Sequence, residues 1–218
     1  MSDATINSNA GEDALARLRA GNLRFVEGVR RADTSLDRNR RAELVAGQAP
    51  FAIVLGCSDS RVPVEMVFDQ GLGDLFVIRV AGNVVASSQM GSIEFAVDQF
   101  NPGLVLVLGH SQCGAIKATL SELQQPREAR SDSVGTIVDR IRPAVQTLLE
   151  TELARDEATL LHHAVRANVR AAVNQLKHGS ALLEQRIESG RLLVIGAEYA
   201  LDTGVVDFFE GVPPGSLG

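Results

Sequence analysis

Three short apolar segments, each rich in β-branched residues and bounded by glycine or proline, constrain the fold of this chain more than any other feature. They are FAIVLG at 51–56, LFVIRV at 75–80 and GLVLVLG at 103–109. Continuous apolar runs of this length are typical of strands that are buried on both faces. Between the last two, SSQMGSIEFAVDQF has the apolar spacing of a helix and ends at Asn101-Pro102-Gly103. Strand, helix and strand in this order predict a parallel sheet.

The segments outside this unit predict flanking helices and one further pair of strands. Residues 10–28 have the spacing of an amphipathic helix, and the later helical patterns cover 136–153, 157–177 and 180–189. RLLVIGAEYALDTGVVDFFE then gives two apolar runs joined by a turn, the pattern of a hairpin. We therefore predict an α/β fold with a mainly parallel central sheet of about four strands, an antiparallel edge strand and an N-terminal helical arm.

The chain length predicts one domain, because 218 residues suffice for one sizeable core and are too few for two ordinary domains. Within the domain 1–218, we assign 1–45 to the helical arm and a connector, and the polar segment 121–135 to an exposed loop. Residues 30–43 mix arginine with acidic residues, which indicates either a solvated connector or an anion-binding patch. Mixed charge favours the connector.

Composition excludes several classes of protein. No segment approaches the roughly 18 consecutive apolar residues of a membrane span. A net charge of −6, no tryptophan and one tyrosine argue against nucleic acid as a partner. The N-terminal residues lack the basic and apolar regions of a secretory signal, and two cysteines are too few for a disulfide framework. We expect a cytoplasmic protein with reduced thiols.

Polar and ligand-forming residues follow the first and third apolar runs directly. After the first run comes CSDSR, where an extended backbone would place Cys57, Asp59 and Arg61 on one face. After the third comes HSQCG, where a helical turn would bring His110 and Cys113 together. Both groups lie just past the carboxyl ends of strands, where open α/β sheets form their ligand crevice.

The residue types in these two groups predict a catalytic zinc site. Cys57, His110 and Cys113 offer two thiolates and one imidazole, which suit one Zn²⁺ per chain and leave its fourth position open. Asp59 can accept a hydrogen bond from a zinc-bound water, and Arg61 can hold that carboxylate ionised. Asp59 is also close enough to become the fourth ligand itself, which would exclude water and silence the site.

Three segments of the chain closely resemble the β-class carbonic anhydrases: CSDSRVPVEMVFDQGLGDLFVIRVAGNVV at 57–85, GSIEFAV at 91–97 and LVLVLGHSQCGAIKA at 104–118. A looser resemblance includes the N-terminal helix, NVRAAV at 168–173 and LLVIGAEYALDTGVVDF at 192–208. The resemblance implies zinc on Cys57, His110 and Cys113, with the Asp59/Arg61 pair orienting the bound water. It also implies a lyase in which zinc-bound hydroxide hydrates CO2 reversibly to bicarbonate and a proton.

The resemblance further implies a homodimer or an assembly of dimers whose substrate pocket crosses the subunit interface. Gln48 matches a glutamine whose amide donates to bicarbonate from the partner subunit. Other positions matched to the pocket are Phe76, Ala81, Gly82 and Phe95, the last standing where plant-type enzymes have tyrosine. Gly114 begins the helix after Cys113, and we expect it to offer a backbone N–H near the thiolates. Val54 replaces the tryptophan of members inhibited by bicarbonate, which argues against their regulatory site.

Two alternatives remain open from the sequence. A hydrolase of CS2 or COS could use the same scaffold, because these linear molecules suit the same hydroxide attack. A non-catalytic zinc-holding module would result if Asp59 permanently occupied the fourth position. Arg61 argues against the module, because its guanidinium can draw Asp59 away from the metal.

Overall fold

A five-stranded sheet in the order β2-β1-β3-β4-β5 forms the centre of the computed structural model, which describes residues 9–29, 38–125 and 131–214. The strands are β1 (Ala52–Gly56), β2 (Leu75–Arg79), β3 (Leu104–His110), β4 (Leu193–Tyr199) and β5 (Val206–Glu210). The first four are parallel, and β5 pairs antiparallel with β4 at one edge. The predicted fold class, a mainly parallel sheet with one antiparallel edge strand, is confirmed.

Helices cover both faces of this sheet. The α-helices are α1 (Ala10–Val26), α2 (Arg38–Leu44), α3 (Val64–Val67), α4 (Ser87–Phe100), α5 (Gly114–Gln124), α6 (Asp132–Val145), α7 (Glu157–His178) and α8 (Ala181–Glu188). Short 3₁₀ turns occupy Ala81–Asn83, Gln146–Glu150 and Glu152–Arg155. No described helix combines the length and the apolar content that a membrane span requires.

Two segments predicted to lack regular structure contain helix. The connector predicted over 30–43 includes the start of α2, where Arg40 pairs with Glu43 at 3.5 Å, and residues 30–37 lie outside the described part of the chain. Of the segment 121–135, which was predicted to be an exposed loop, residues 121–124 belong to α5 and residues 132–135 belong to α6. The Ser131 side chain accepts a hydrogen bond from the first turn of α6, and residues 126–130 lie outside the described ranges.

The helix predicted over 136–153 is interrupted. Its regular part ends at Val145, two residues after Pro143, and the chain continues in two 3₁₀ turns. Proline has no backbone N–H and removes one hydrogen bond from the α-helical ladder, so the last turn of α6 is weakened there. The single long helix was therefore a wrong prediction.

Alternating side chains of the strands divide the core into two layers. The side chains of one face pack against α1 and α3, and those of the other pack against α4, α7 and α8. In β1 and β3, the fully buried residues of the first face are Ala52, Val54, Leu104, Leu106 and Leu108, and those of the second are Ile53, Leu55, Val105 and Val107. This burial of both sheet faces explains the continuous apolar runs in the sequence.

Helix α7 packs against β3 and β4 where each strand has a glycine. A Cβ placed on Gly109 would lie 2.6 Å from Val169 Cγ2, and one placed on Gly196 would lie 2.6 Å from Val169 Cγ1. Any larger residue at either position would push the helix outwards. The two glycines therefore fix the height of α7 above the sheet at Val169.

Helix α1 is attached to the other face through a buried asparagine. The Asn22 Nδ2 group donates to the backbone oxygens of Val67 at 3.1 Å and Gly204 at 2.9 Å, while Oδ1 accepts from the Val206 N–H at 2.9 Å. One side chain thus joins α1 to the end of α3 and to the β4–β5 hairpin.

Candidate metal centre

Three ligand-forming side chains meet at the carboxyl edge of the sheet. Cys57 directly follows β1, His110 ends β3, and Cys113 precedes α5. Because β1 and β3 are parallel neighbours, both strands deliver their last residues to the same edge. The sulfurs of Cys57 and Cys113 and a ring nitrogen of His110 all lie within 4.8 Å of one another, and all three residues are buried. The structure therefore brings together the side chains predicted to bind a metal.

The backbone reaches this arrangement by a route that differs from the predicted helical turn. His110 belongs to β3, Ser111 and Gln112 form a turn, and Cys113 is the N-cap of α5. Gln112 has a φ of +56°, in the left-handed region, which reverses the chain between the two ligands. The turn is anchored to β4 by a 2.9 Å hydrogen bond from the Ser111 N–H to the Tyr199 carbonyl.

The tautomer of His110 leaves one ring nitrogen available to a metal. Nδ1 lies 2.9 Å from the Ser111 carbonyl oxygen, which can only accept, so Nδ1 carries the proton. Nε2 is fully buried and has no hydrogen-bond partner among the described residues. A buried, unpartnered lone pair facing two sulfurs fits a metal ligand, and the Nδ1 hydrogen bond to backbone is the usual support for such a histidine.

The two thiols interact directly. A hydrogen bond from the Cys113 side chain, together with a smaller contribution from the Gly82 N–H, lowers the pKa of the Cys57 thiol, although burial acts in the opposite direction. The same hydrogen bond, added to burial, raises the pKa of Cys113. Both sulfurs must be deprotonated to bind a metal, so metal binding would release protons from this pair.

Backbone groups at the start of α5 also act on the Cys113 sulfur. They are the N–H groups of Ala115 and Ile116, and both lower the pKa of the Cys113 thiol. The backbone contribution expected from Gly114 therefore comes from the next two residues.

Asp59 and Arg61 form a pair beside the ligands. The Arg61 guanidinium donates from Nε to Oδ1 at 2.9 Å and from Nη2 to Oδ2 at 2.7 Å, and its backbone N–H donates to Oδ1 at 3.0 Å. These hydrogen bonds hold the pKa of Asp59 well below its usual range. Asp59 Oδ2 lies 3.9 Å from His110 Nε2, so the carboxylate borders the three ligand atoms.

A turn, not the predicted extended backbone, brings Asp59 and Arg61 together. The Val62 N–H donates to the Asp59 carbonyl at 3.0 Å and closes this turn. In an extended strand, Asp59 and Arg61 would lie on the same face, one two-residue repeat apart along the strand. The turn brings them closer, so that one guanidinium reaches both carboxylate oxygens.

We expect this pair to stabilise the metal-free fold in a pH-dependent manner. The folded-state pKa of Asp59 lies below its unfolded value of about 3.9, so the contribution is complete above about pH 4 and is lost as the pH falls. Urea unfolding at low salt, with chelator present, should show Arg61→Gln to be less stable than the parent at about pH 6, with the difference shrinking towards about pH 3. A difference that is independent of pH would contradict this prediction.

Comparison with known proteins places this geometry in a family. Residues 52–206 match the sequence profile of the carbonic anhydrase family. The fold also matches the solved structure of the β-carbonic anhydrase CcaA with a TM-score of 0.71, at 26% identity, over 93% of this chain and 94% of that one. The chain belongs to the β-carbonic anhydrase family. The resemblance drawn from the sequence motifs is confirmed.

Other members of the family are similar over most of their length. The carbonic anhydrase of Mycolicibacterium smegmatis is 41% identical over 190 residues, which cover 87% of this chain and 89% of the relative. A tetrameric β-carbonic anhydrase from Sordaria macrospora has a TM-score of 0.70 at 26% identity, over 78% of this chain and 85% of that one. The similarity to β-carbonic anhydrases thus extends well beyond the ligand motifs.

The positions matched to the family's substrate pocket lie in several parts of the single chain. Gln48 lies in a surface groove beside Leu72, and the Phe76 ring packs 6.4 Å from the half-exposed Phe95 ring. Ala81 is exposed, whereas Gly82 is buried and donates its N–H to Cys57 Sγ at 3.3 Å. Together with Gly114, which is exposed, these residues remain predicted pocket positions.

Sequence reasoning missed one residue that holds the ligand segment in place. Arg79, the last residue of β2, donates to the backbone oxygens of Cys57 at 3.0 Å and Asp59 at 2.6 Å. A signal was present, because an arginine interrupts the otherwise apolar run LFVIRV at the carboxyl end of the strand. This one side chain therefore joins two backbone carbonyls of the metal-site segment to the end of β2.

Proposed function

We propose that this chain is a zinc-dependent carbonic anhydrase that catalyses the reversible hydration of CO2 to bicarbonate and a proton. Family membership supports the reaction class. The observation that carries the proposal is the buried, unpartnered Nε2 of His110, which lies with two cysteine sulfurs beside an ionised aspartate. A purely structural cluster would not need an available lone pair at this position.

The ligand set supports zinc as the metal. Cys57, His110 and Cys113 would hold Zn²⁺ through two thiolates and one imidazole, and three protein ligands leave one position for water or substrate. When bound, the zinc ion supplies a Lewis acid that lowers the pKa of a water molecule towards neutrality.

Asp59 and Arg61 orient the reacting water. The Asp59 carboxylate remains ionised at neutral pH because Arg61 donates two side-chain hydrogen bonds to it. Its Oδ2 atom borders the ligand group and can accept a hydrogen bond from the water that attacks CO2, which leaves a lone pair directed at the substrate. While Arg61 occupies both carboxylate oxygens, Asp59 is held outside the ligand set. Its role as a conditional fourth ligand requires this pair to open.

Stopped-flow CO2 hydration with a pH indicator tests the proposal. The zinc-loaded protein is expected to be active and the chelated protein inactive, with Asp59→Asn lowering kcat about 10²-fold while zinc content stays at one per chain. Asp98→Asn, at an exposed position of α4, serves as the control and should match the parent. Inactivity of the zinc-loaded parent would overturn the proposal, and full activity of Asp59→Asn would overturn the role given to that residue.

The alternatives from the sequence are tested by the same preparation. Assay with CS2 and COS in place of CO2 separates a heteroallene hydrolase from a carbonic anhydrase. The pairing of Asp59 with Arg61 supports catalysis over a non-catalytic zinc-holding module, which would need Asp59 at the metal.

We extend the proposal to the assembly, a homodimer or an assembly of dimers. The tetrameric relative from Sordaria macrospora supports an oligomer. Phe95 and Gln48 are exposed in the single chain, where a partner could reach them. The cytoplasmic location remains a prediction from the sequence.

A further inference from the structure

The loop between β2 and α4 passes beside the metal ligands and contacts one of them through Gly82. The Gly82 N–H donates to Cys57 Sγ at 3.3 Å. Gly82 has a φ of +69°, and a Cβ placed on it would lie 2.9 Å from Ile141 Cδ1 and 3.1 Å from Ala115 Cβ. This crowded, left-handed conformation aims the N–H at the sulfur, and only glycine adopts it without strain.

A side chain from a distant helix holds the other polar group of Gly82. Asn168 of α7 is buried, and its Nδ2 donates to the Gly82 carbonyl at 2.8 Å across 86 residues of sequence. The N–H and the carbonyl of this glycine are therefore both engaged, one by the ligand sulfur and the other by α7. Rotation of the loop that turned the N–H away from Cys57 would strain the hydrogen bond to Asn168.

The position of Asn168 is itself closely determined. Its neighbour Val169 is the residue that contacts β3 and β4 at Gly109 and Gly196. The backbone of α7 at Asn168 therefore cannot shift relative to the loop without disturbing the contact of Val169 with the sheet. The Asn168 amide is thus a rigid support, not a flexible contact.

We propose that Asn168 is a positioning residue for the metal ligand Cys57, acting through Gly82. By holding the Gly82 carbonyl, it keeps the N–H directed at the sulfur and so sets how strongly that thiolate donates electrons to the metal. A hydrogen bond from an N–H draws electron density from sulfur, and residues behind the direct ligands commonly tune metal centres in this way. The inference rests on the proposed zinc site.

A matched control is a second side chain of α7 that hydrogen-bonds to the same loop. The Gln175 side chain, also on α7, donates to the Val85 carbonyl at 3.3 Å, and Arg140 donates to the same oxygen at 3.1 Å. Gln175 therefore helps to attach the loop without touching the residue that contacts sulfur. A role limited to holding the loop would give Asn168→Ala and Gln175→Ala similar effects on the metal centre.

The decisive measurement is the sulfur-to-cobalt charge-transfer band of the cobalt-substituted protein. We expect Asn168→Ala to move this band to longer wavelength, because a thiolate without its hydrogen bond is a stronger electron donor. Gln175→Ala should leave the band at its parent position. An unmoved band in Asn168→Ala, or an equal shift in both variants, would overturn the proposal.

A second variant and a measurement of the parent protein distinguish failure of the variant to fold, failure of the proposed metal site and failure of the role given to Asn168. If Asn168→Ala does not fold, Asn168→Ser replaces it, since the hydroxyl is one bond shorter than the amide and falls short of the Gly82 carbonyl. The parent protein is measured first: absence of its charge-transfer band would overturn the proposed metal site, whereas a normal parent band with an unmoved variant band would overturn only the role of Asn168.

Discussion

Replacement of Cys57 by serine is expected to abolish both zinc binding and CO2 hydration. The variant keeps His110 and Cys113, but a serine hydroxyl is not ionised at neutral pH and is a poor ligand for zinc. Loss of one of three protein ligands should weaken zinc binding by a factor on the order of 10³.

Zinc content by elemental analysis and stopped-flow hydration, measured on the same sample, test this expectation. His163→Ala is the control, because this histidine is exposed on α7 and is not among the three ligands. It should retain one zinc per chain and the parent rate. One equivalent of zinc and an unchanged rate in Cys57→Ser would show that the metal binds elsewhere.

Substitution of Asn22 by leucine is expected to cause a large loss of stability without any direct effect on the ligands. Leucine has nearly the same size but cannot replace the three hydrogen bonds that join α1 to Val67, Gly204 and Val206. Two backbone carbonyls and one N–H would lose their partners in or near the core, and each costs about 1–3 kcal/mol. We expect the free energy of unfolding to fall by about 3–5 kcal/mol.

Urea unfolding of the chelated protein measures this loss, with Asn174→Leu as the comparison. Asn174 is exposed on α7, so its replacement should change the free energy of unfolding by less than about 0.5 kcal/mol. A loss below about 1 kcal/mol in Asn22→Leu would mean that water replaces the missing partners and that α1 is attached mainly by its apolar side chains.

The sheet and the three ligands could be predicted because they depend on simple patterns. Apolar runs separated by a helix require parallel strands, and parallel neighbours end at the same edge, so Cys57 and His110 had to converge. The local backbone was less predictable. Glutamine has no preference for a left-handed φ, and nothing in the sequence marked Gln112 as the residue that reverses the chain.

The end of α6 and the role of Asn168 were each indicated in the sequence, but incompletely. Pro143 marked the weak end of α6, although apolar spacing continued beyond it and suggested a longer helix. Asn168 occupies a position on the buried face of α7, between the buried residues Val165 and Val169, where an apolar side chain would be expected. A polar residue on such a face indicates a specific partner, but its identity as the Gly82 carbonyl depends on tertiary packing.

The pairing of β1 with β3 has a consequence for how the protein acquires its metal. These strands are about fifty residues apart in the chain, and β2 must take its place on the far side of β1. Contacts of such long sequence separation form slowly during folding, because a large loop must close first. The nascent chain therefore has no preformed site for zinc, and we expect the ion to be captured late, by a sheet that has already assembled.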